Sequence, residues 1–217
     1  MRCVIISACP VSSALASALR PGDFIFACDA GYRNCEPLGC KPNIIVGDFD
    51  TAPCPQKQDD DIIILPHVKD DTDTEYAAKL ASEKGFDEVL ILGALGGRRM
   101  EHTLANLCTA LGLEQRGVRA TLLDERSRIT FVMPGETRHY PRSEYFYFSA
   151  FPMEGRAEGV CERGSYYELI DATLTAGYPL GVSNECAEGS DGITISTRKG
   201  ALVVVETLPD GPILTNG

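Results

Sequence analysis

The sequence predicts an α/β protein, with an N-terminal three-layer α/β domain built on a parallel sheet, followed by a small all-β, sandwich-like domain. In the first half, short apolar runs alternate with segments of helical periodicity, the pattern of βαβ units whose sheet is covered on both faces. Beyond residue 124 the helical periodicity fades, and runs rich in β-branched and aromatic residues are separated by Gly and Pro. The predicted domains are therefore residues 1–124 and 125–217.

The elements of the first domain follow from its apolar runs and cap signals. Strands are predicted at 3–7, 23–28, 44–46, 62–65, 88–92 and 119–123, and helices at 12–19, 32–38, 72–84 and 102–115. Ser12 is expected to cap the first helix, and Thr72 and Glu75 have the spacing of a capping box. In the second domain strands are predicted at 129–133, 145–150, 192–197 and 201–206.

Composition restricts the classes of function. The 217 residues carry a formal net charge of −11, so non-specific binding of nucleic acid is not expected. The nine cysteines are odd in number and dispersed, which favours free thiols over a disulfide framework. No apolar run approaches the roughly 18 residues of a membrane span, and the run at residues 3–6 is too short for a signal peptide. We expect a cytoplasmic protein without a membrane partner.

Two carboxylate clusters follow apolar runs between residues 46 and 73. Asp48 and Asp50 are two residues apart, and Asp70, Asp71 and Asp73 follow the next predicted strand. Parallel strands bring such ends to one edge of the sheet, where converging carboxylates would repel each other without a cation. Oxygen ligands favour Mg²⁺ or Mn²⁺, and a Mg²⁺ site with few protein ligands usually has a phosphate-bearing substrate. The alternative interpretation is turn residues and helix-start charges.

A glycine-rich segment after the fifth predicted strand is the third signal. Glycines at 93, 96 and 97 precede Arg98, Arg99, Glu101 and His102. Glycine lets the backbone approach a phosphate, and arginine pairs with its oxygens. An ordinary βα turn is the alternative. His67 is expected to be a structural or surface residue.

Five motifs in order resemble the thiamine pyrophosphokinase family. They are Asp-Ala-Gly at 29–31, Gly-Asp-Phe-Asp-Thr at 47–51, the acidic stretch at 70–77, the Gly-Gly-Arg to Asn segment at 96–106, and Gly-Val-Ser-Asn-Glu at 181–185. Glu101 stands where the family pattern has aspartate. The loop is also one residue longer than the pattern, so either Arg98 or Arg99 could be the family arginine.

The resemblance implies transfer of pyrophosphate from ATP to thiamine, with Mg²⁺ as the metal and AMP as the second product. It implies that the metal ligands and catalytic carboxylates are Asp48, Asp50 and Asp73, with Glu101 orienting or deprotonating the hydroxyl. The implied ATP and phosphate contacts are Asp29, Asp70, Arg98, Arg99, His102 and Asn106, and the implied thiamine contacts are Ser183 and Asn184. Spacing three apart on one helix face favours Asp70 with Asp73 over Asp71.

The family resemblance further implies a homodimer, with thiamine bound between the α/β domain of one subunit and the β domain of the other. Two other interpretations stay open. One is a related pyrophosphokinase or a nucleotidyltransferase acting on another alcohol such as a pterin, and a nucleotidyltransferase would release pyrophosphate instead of AMP. The other is a non-catalytic nucleotide-binding regulatory module, which would release neither.

Overall fold

The structure is a computed structural model that describes residues 1–50, 52–55, 61–68 and 70–209. The chain forms two compact units, residues 1–125 and 126–217. Each unit has its own hydrophobic core and is described by itself. No helix in the described ranges combines the length and the apolar character that crossing a membrane requires.

The first unit is built on a parallel sheet of six strands. They are β1 (Arg2–Ile6), β2 (Phe24–Cys28), β3 (Ile44–Gly47), β4 (Asp61–Ile64), β5 (Glu88–Leu92) and β6 (Arg119–Leu123). Their order is β6-β5-β1-β2-β3-β4, and every neighbouring pair is parallel. The chain therefore leaves β1 toward β2 and later returns to the other side of β1 as β5. The carboxyl ends of β1 and β5 form the topological switch point, where ligands bind in such sheets.

Helices cover both faces of this sheet, which confirms the predicted three-layer class. On one face, alternate strand residues such as Ile6, Ala27 and Ile45 pack against Leu15 and Leu38. On the opposite face, α1 (Asp73–Glu83) packs against β1, β2 and β3. A second helix, α2 (Met100–Gln115), packs against α1 and β6.

Two short helices were predicted in this unit without their type. The segments predicted as helices at 12–19 and 32–38 are the 3₁₀-helices Ser13–Ala18 and Asp29–Cys35, and the second begins three residues earlier than predicted. Short helical segments are often 3₁₀, and hydrophobic periodicity does not distinguish the two types. The predicted cap at Ser12 was wrong, because its side chain makes no capping hydrogen bond. The cap of α1 is confirmed, because Thr72 Oγ1 accepts a hydrogen bond from the Glu75 amide at 3.1 Å.

A buried ion pair fixes the chain start against the second strand. Arg2 donates from Nε and one terminal nitrogen to the two carboxylate oxygens of Asp23, at 2.9 and 2.6 Å, and also to the Ala18 carbonyl. Burial alone would raise the pKa of Asp23, but the hydrogen bonds from Arg2 and the Arg20 amide hold it below its usual value. The pair joins β1 to the turn that leads into β2.

The described strands of the second unit form two antiparallel sheets of four strands each, in agreement with the predicted sandwich-like class. One sheet has the order β12-β9-β14-β7 and the other β11-β10-β13-β8. The strands are β7 (Ser127–Val132), β8 (Thr137–Pro141), β9 (Tyr147–Pro152), β10 (Arg156–Arg163), β11 (Leu169–Thr175), β12 (Asn184–Glu185), β13 (Gly192–Ser196) and β14 (Leu202–Thr207). Residues of both sheets, including Phe148, Val160 and Ile193, form one core.

Candidate active site

The predicted acidic residues lie after neighbouring strands of the parallel sheet. Asp29 follows β2 directly and Asp48 follows β3 directly, while His67 and Asp70 come shortly after β4. Because β2, β3 and β4 are adjacent and parallel, these residues lie beyond the same edge of the sheet.

Asp48, Asp50 and His67 form a cluster with the geometry of a cation site. One ligand atom from each lies within 4.8 Å of the others. Asp48 Oδ1 accepts a hydrogen bond from the Asp50 amide at 3.4 Å, and His67 Nδ1 lies 3.6 Å from Asp48 Oδ2. Two carboxylates and one imidazole are a donor set that a divalent metal accepts. His67 was expected to be structural or a surface residue. The sequence signal for this proximity is that His67 follows β4, so that it lies at the same sheet edge as the acidic motifs.

Asp29 is a buried carboxylate held in unusual backbone. Its φ is 45°, in the left-handed region that is uncommon for residues other than glycine, and it is 7% exposed. Among the described residues, its Oδ1 atom is buried without a hydrogen-bond partner. Gly47 allows this approach, because a Cβ there would lie 3.0 Å from Asp29 Cα. An unpaired buried oxygen is costly, and a cation or a cation-bound water would satisfy it.

The start of α1 is fixed against the ends of β1 and β2. The Cys28 thiol donates to the Asp73 carbonyl at 3.5 Å, and the hydroxyls of Ser7 and Thr74 are 2.8 Å apart. Burial, and after it the charge of Asp73, raises the pKa of the Cys28 thiol well above its usual value. The carboxylate-bearing residue Asp73 therefore lies close to the end of β2, where Asp29 follows.

The structure separates the three acidic residues that precede and start α1. Both oxygens of Asp71 accept hydrogen bonds from Lys79 Nζ at 2.7 Å. Asp70 is exposed and lies before the helix, which begins at Asp73. Asp70 and Asp73 therefore do not share a helix face, contrary to the prediction from their spacing, and Asp71 is paired with a lysine.

The glycine-rich loop after β5 is held tightly at the switch point. Gly93 has a φ of 63°, and a Cβ there would lie 2.6 Å from the Ser7 carbonyl oxygen. Asn34 Nδ2 donates to the carbonyls of Ser7 and Cys9, and Asn106 Nδ2 donates to the Ala94 carbonyl at 2.8 Å. The Cys9 amide in turn donates to the Gly93 carbonyl at 3.0 Å. The first residues of the loop are therefore held by the Ser7–Cys9 segment on one side and by Asn106 of α2 on the other.

Arg98 and Arg99 differ in their partners. Arg99 Nε donates to Glu101 Oε1 at 2.7 Å, and this hydrogen bond lowers the pKa of Glu101. Arg98 is exposed and makes no hydrogen bond or ion pair with any residue that the structure describes. His102 is half-buried in the first turn of α2. The guanidinium available for an anion is therefore that of Arg98.

The second unit contains a cavity of about 230 Å³ beside Ser183 and Asn184. Its lining includes Glu162, Tyr167, Leu169, Leu180, Val182 and Asn184. Ser183 has a φ of 55°, and its amide donates to Ser149 Oγ at 3.0 Å. Sequence reasoning missed Glu162, although it is a glutamate two residues from Val160 in a strand whose alternate residues point inward.

Comparisons with known proteins agree with these observations. Residues 15–122 match the family model "Thiamin pyrophosphokinase, catalytic domain", and residues 137–202 match "Thiamin pyrophosphokinase, vitamin B1 binding domain". The chain is similar to thiamine pyrophosphokinase of Bacillus subtilis (strain 168), at 26% identity over 184 residues, which is 82% of this chain and 85% of the relative.

Solved structures share the fold. The crystal structure of thiamine pyrophosphokinase from Bacillus subtilis has a TM-score of 0.84 at 23% identity, covering 96% of this chain and all of that one. Thiamin pyrophosphokinase from Candida albicans has a TM-score of 0.77 at 14% identity, covering 95% of this chain and 88% of that one.

Proposed function

The chain belongs to the thiamin pyrophosphokinase family, and from this premise we propose that it transfers a pyrophosphoryl group from ATP to the hydroxyl of thiamine, with Mg²⁺. The observation that carries the proposal is the convergence of Asp29, Asp48 and Asp50 beyond one sheet edge. In the reaction the hydroxyl oxygen of thiamine forms a bond to the β-phosphorus of ATP. The bond from that phosphorus to the bridging oxygen of the α-phosphate breaks, AMP leaves with that oxygen, and the hydroxyl proton passes to Glu101 or to solvent.

The donor set fits a divalent cation. We propose Asp48, Asp50 and Asp73 as the residues that hold Mg²⁺, with Asp29 and Asp70 supporting the metal or its waters. The close approach of Asp48 and Asp50 and the unsatisfied oxygen of Asp29 support this assignment. When bound, Mg²⁺ would neutralise negative charge on the phosphoryl oxygens.

The glycine-rich loop and the start of α2 are proposed to position the phosphates of ATP. Arg98 would pair with phosphate oxygens, and Arg99 would hold Glu101, the residue proposed to orient or deprotonate the thiamine hydroxyl. His102 would contribute a phosphate contact from the same turn. Asn106 would contribute by fixing the loop through Ala94. Positioning of this kind is the main protein contribution to phosphoryl transfer.

Thiamine is proposed to bind at the Ser183–Asn184 turn of the second unit, and two chains are proposed to form a homodimer. Several large apolar side chains of that unit are exposed, which supports an interface between copies: Tyr166, Tyr167, Ile170, Tyr178, Leu180 and Val182. Light scattering on the purified protein tests the dimer.

A cytoplasmic location is also proposed, because all nine cysteines are free thiols.

One assay tests the reaction. The protein is incubated with ATP, Mg²⁺ and thiamine, and AMP, thiamine diphosphate and pyrophosphate are measured together. AMP and thiamine diphosphate in equal amounts are expected, whereas pyrophosphate would indicate nucleotidyl transfer. Absence of all three products from folded protein supplied with metal would refute an enzymatic role and leave a nucleotide-binding module.

A matched pair of variants tests the assignment of the carboxylates. Asp48→Asn removes one proposed ligand charge and is expected to abolish turnover while the protein stays folded. Asp61→Asn makes the same chemical change at an exposed residue that begins β4, at the strand end opposite to the site, and is expected to leave turnover unchanged. Near-normal turnover in Asp48→Asn would contradict the metal assignment.

A further inference from the structure

The cavity of the second unit is small and mostly apolar. Its volume of about 230 Å³ lies below the roughly 300–1,000 Å³ of pockets that enclose a drug-sized ligand. Leu169, Leu180 and Val182 supply apolar surface, and the lining includes the carboxyl-bearing residue Glu162. The cavity therefore fits one ring of a larger molecule, with a polar edge directed at that residue.

Glu162 is buried, and no residue in the described ranges is a cationic partner for it. It is 3% exposed, and within the described ranges its carboxylate accepts one hydrogen bond, from Asn184 Nδ2 to Oε2 at 2.7 Å. Burial raises the pKa of Glu162, against the opposing effect of that hydrogen bond. A buried carboxylate with one neutral partner is costly for the fold, and such groups in a cavity are commonly retained to bind a ligand.

Asn184 has little polar capacity left for a ligand. Its Nδ2 donates to Glu162 Oε2 and to the Tyr167 carbonyl, and its Oδ1 accepts from the amides of Tyr167 and Glu185, both at 3.0 Å. Both donor hydrogens and both usual acceptor positions of the amide are therefore occupied. Glu162 Oε1 accepts no hydrogen bond from the described residues, so it is the acceptor that remains for a ligand.

We propose that this cavity takes the aminopyrimidine ring of the substrate, with the exocyclic amino group donating to Glu162 Oε1. The inference rests on the proposed function, because it assigns one end of thiamine to the cavity. The reacting hydroxyl is carried by the thiazolium ring and must stay accessible to ATP, so the pyrimidine is the ring free to enter a cavity that holds only one. Asn184 is then a positioning residue that holds the glutamate.

The variant Glu162→Gln gives a sharp test, because Asn184 dictates the orientation of the new amide. The Asn184 donor requires the Gln carbonyl oxygen at the former Oε2 position, which places the NH₂ group at the former Oε1 position. The acceptor in the cavity thereby becomes a donor. Thiamine should bind on the order of tenfold to a hundredfold more weakly, and the analogue with oxygen in place of the amino group should bind more tightly than it does to the wild type.

Glu158→Gln serves as the control, because it makes the same change on the same strand at a residue outside the cavity lining. Binding of thiamine, the oxo analogue and the two separate ring fragments is measured by calorimetry. The aminopyrimidine fragment should compete with thiamine in the wild type. Unchanged thiamine affinity in folded Glu162→Gln, or competition by the thiazolium fragment alone, would overturn the assignment.

A second variant covers the case in which Glu162→Gln does not fold. Leu180→Trp fills the cavity from a side chain that is 46% exposed, so the fold should tolerate it. Thiamine binding should be lost while ATP binding is retained, and retained thiamine binding would refute the site. If the wild type forms thiamine diphosphate but neither variant alters thiamine binding, the inference fails while the proposed function stands. If the wild type forms none, the proposed function fails.

Discussion

Replacing Asn106 by leucine tests whether the glycine-rich loop depends on one hydrogen bond. Asn106 is 5% exposed and donates at 2.8 Å to the Ala94 carbonyl, and Ala94 is 1% exposed. Leucine has a similar size and cannot donate, so the buried carbonyl loses its partner. Such a loss costs about 1–3 kcal/mol. Added apolar burial offsets part of this, and a net destabilisation of about 1–2 kcal/mol is expected.

The assay combines unfolding with kinetics. For a unit of this size, a loss of 1–2 kcal/mol lowers Tm by roughly 3–10 °C. The KM for ATP should rise while the KM for thiamine changes little, because the loop is proposed to position phosphates. Cys108→Ala, at an exposed position of the same helix, is the control and should match the wild type. Wild-type Tm in Asn106→Leu would show that the hydrogen bond does not hold the loop.

Three further predictions concern charged residues. Arg98→Ala should weaken ATP binding about tenfold, and Arg99→Ala should weaken it less, because Arg99 is already bonded to Glu101. Equal losses of ATP affinity in the two variants, measured by calorimetry, would refute this distinction. Asp23→Asn should lower the free energy of unfolding by about 1–3 kcal/mol, because Arg2 loses a partly buried charged partner and keeps Glu88 at 3.8 Å, and an unchanged denaturant midpoint would contradict this. The pKa of Glu162 is raised in the folded state, so its ionisation destabilises the fold as pH rises above the ordinary value of 4.5. Urea unfolding should therefore show that Glu162→Gln is more stable than the wild type at pH 8 and similar in stability below pH 4.5. A stability difference that does not change with pH would contradict this explanation.

The sequence predicted the parallel sheet well because its strands are short, continuous apolar runs, which are mostly or fully buried in β1, β2, β3 and β5. The bounds predicted for β5 and β6 agree with the structure, and the other four first-unit strands lie within one residue of prediction. In the second unit, β8, β10, β11 and β12 were missed. Most of their residues are at least partly exposed, so their composition lacks the apolar signal of a strand.

The candidate site was predictable where it depends on topology. Parallel strands bring their carboxyl ends to one edge, so the placement of Asp29 and Asp48 follows from the strand order. Contacts between side chains were not predictable in this way. The pairing of Asp71 with Lys79, eight residues away, and the proximity of His67 to Asp48 depend on loop conformations that no periodicity encodes.

The left-handed backbone at Asp29, Phe49 and Ser183 limits how this protein can be made more heat-resistant. Glycine at each position would relieve about 1 kcal/mol of conformational strain. Two of the three are proposed to serve catalysis or substrate binding, and Phe49 lies between Asp48 and Asp50. Selection for thermal tolerance alone would therefore favour glycine where the chemistry requires a side chain. Laboratory evolution of this protein needs a screen for turnover alongside heat, since three of the four left-handed residues other than glycine in the described ranges lie at or beside the proposed sites, and Asp171 is the fourth.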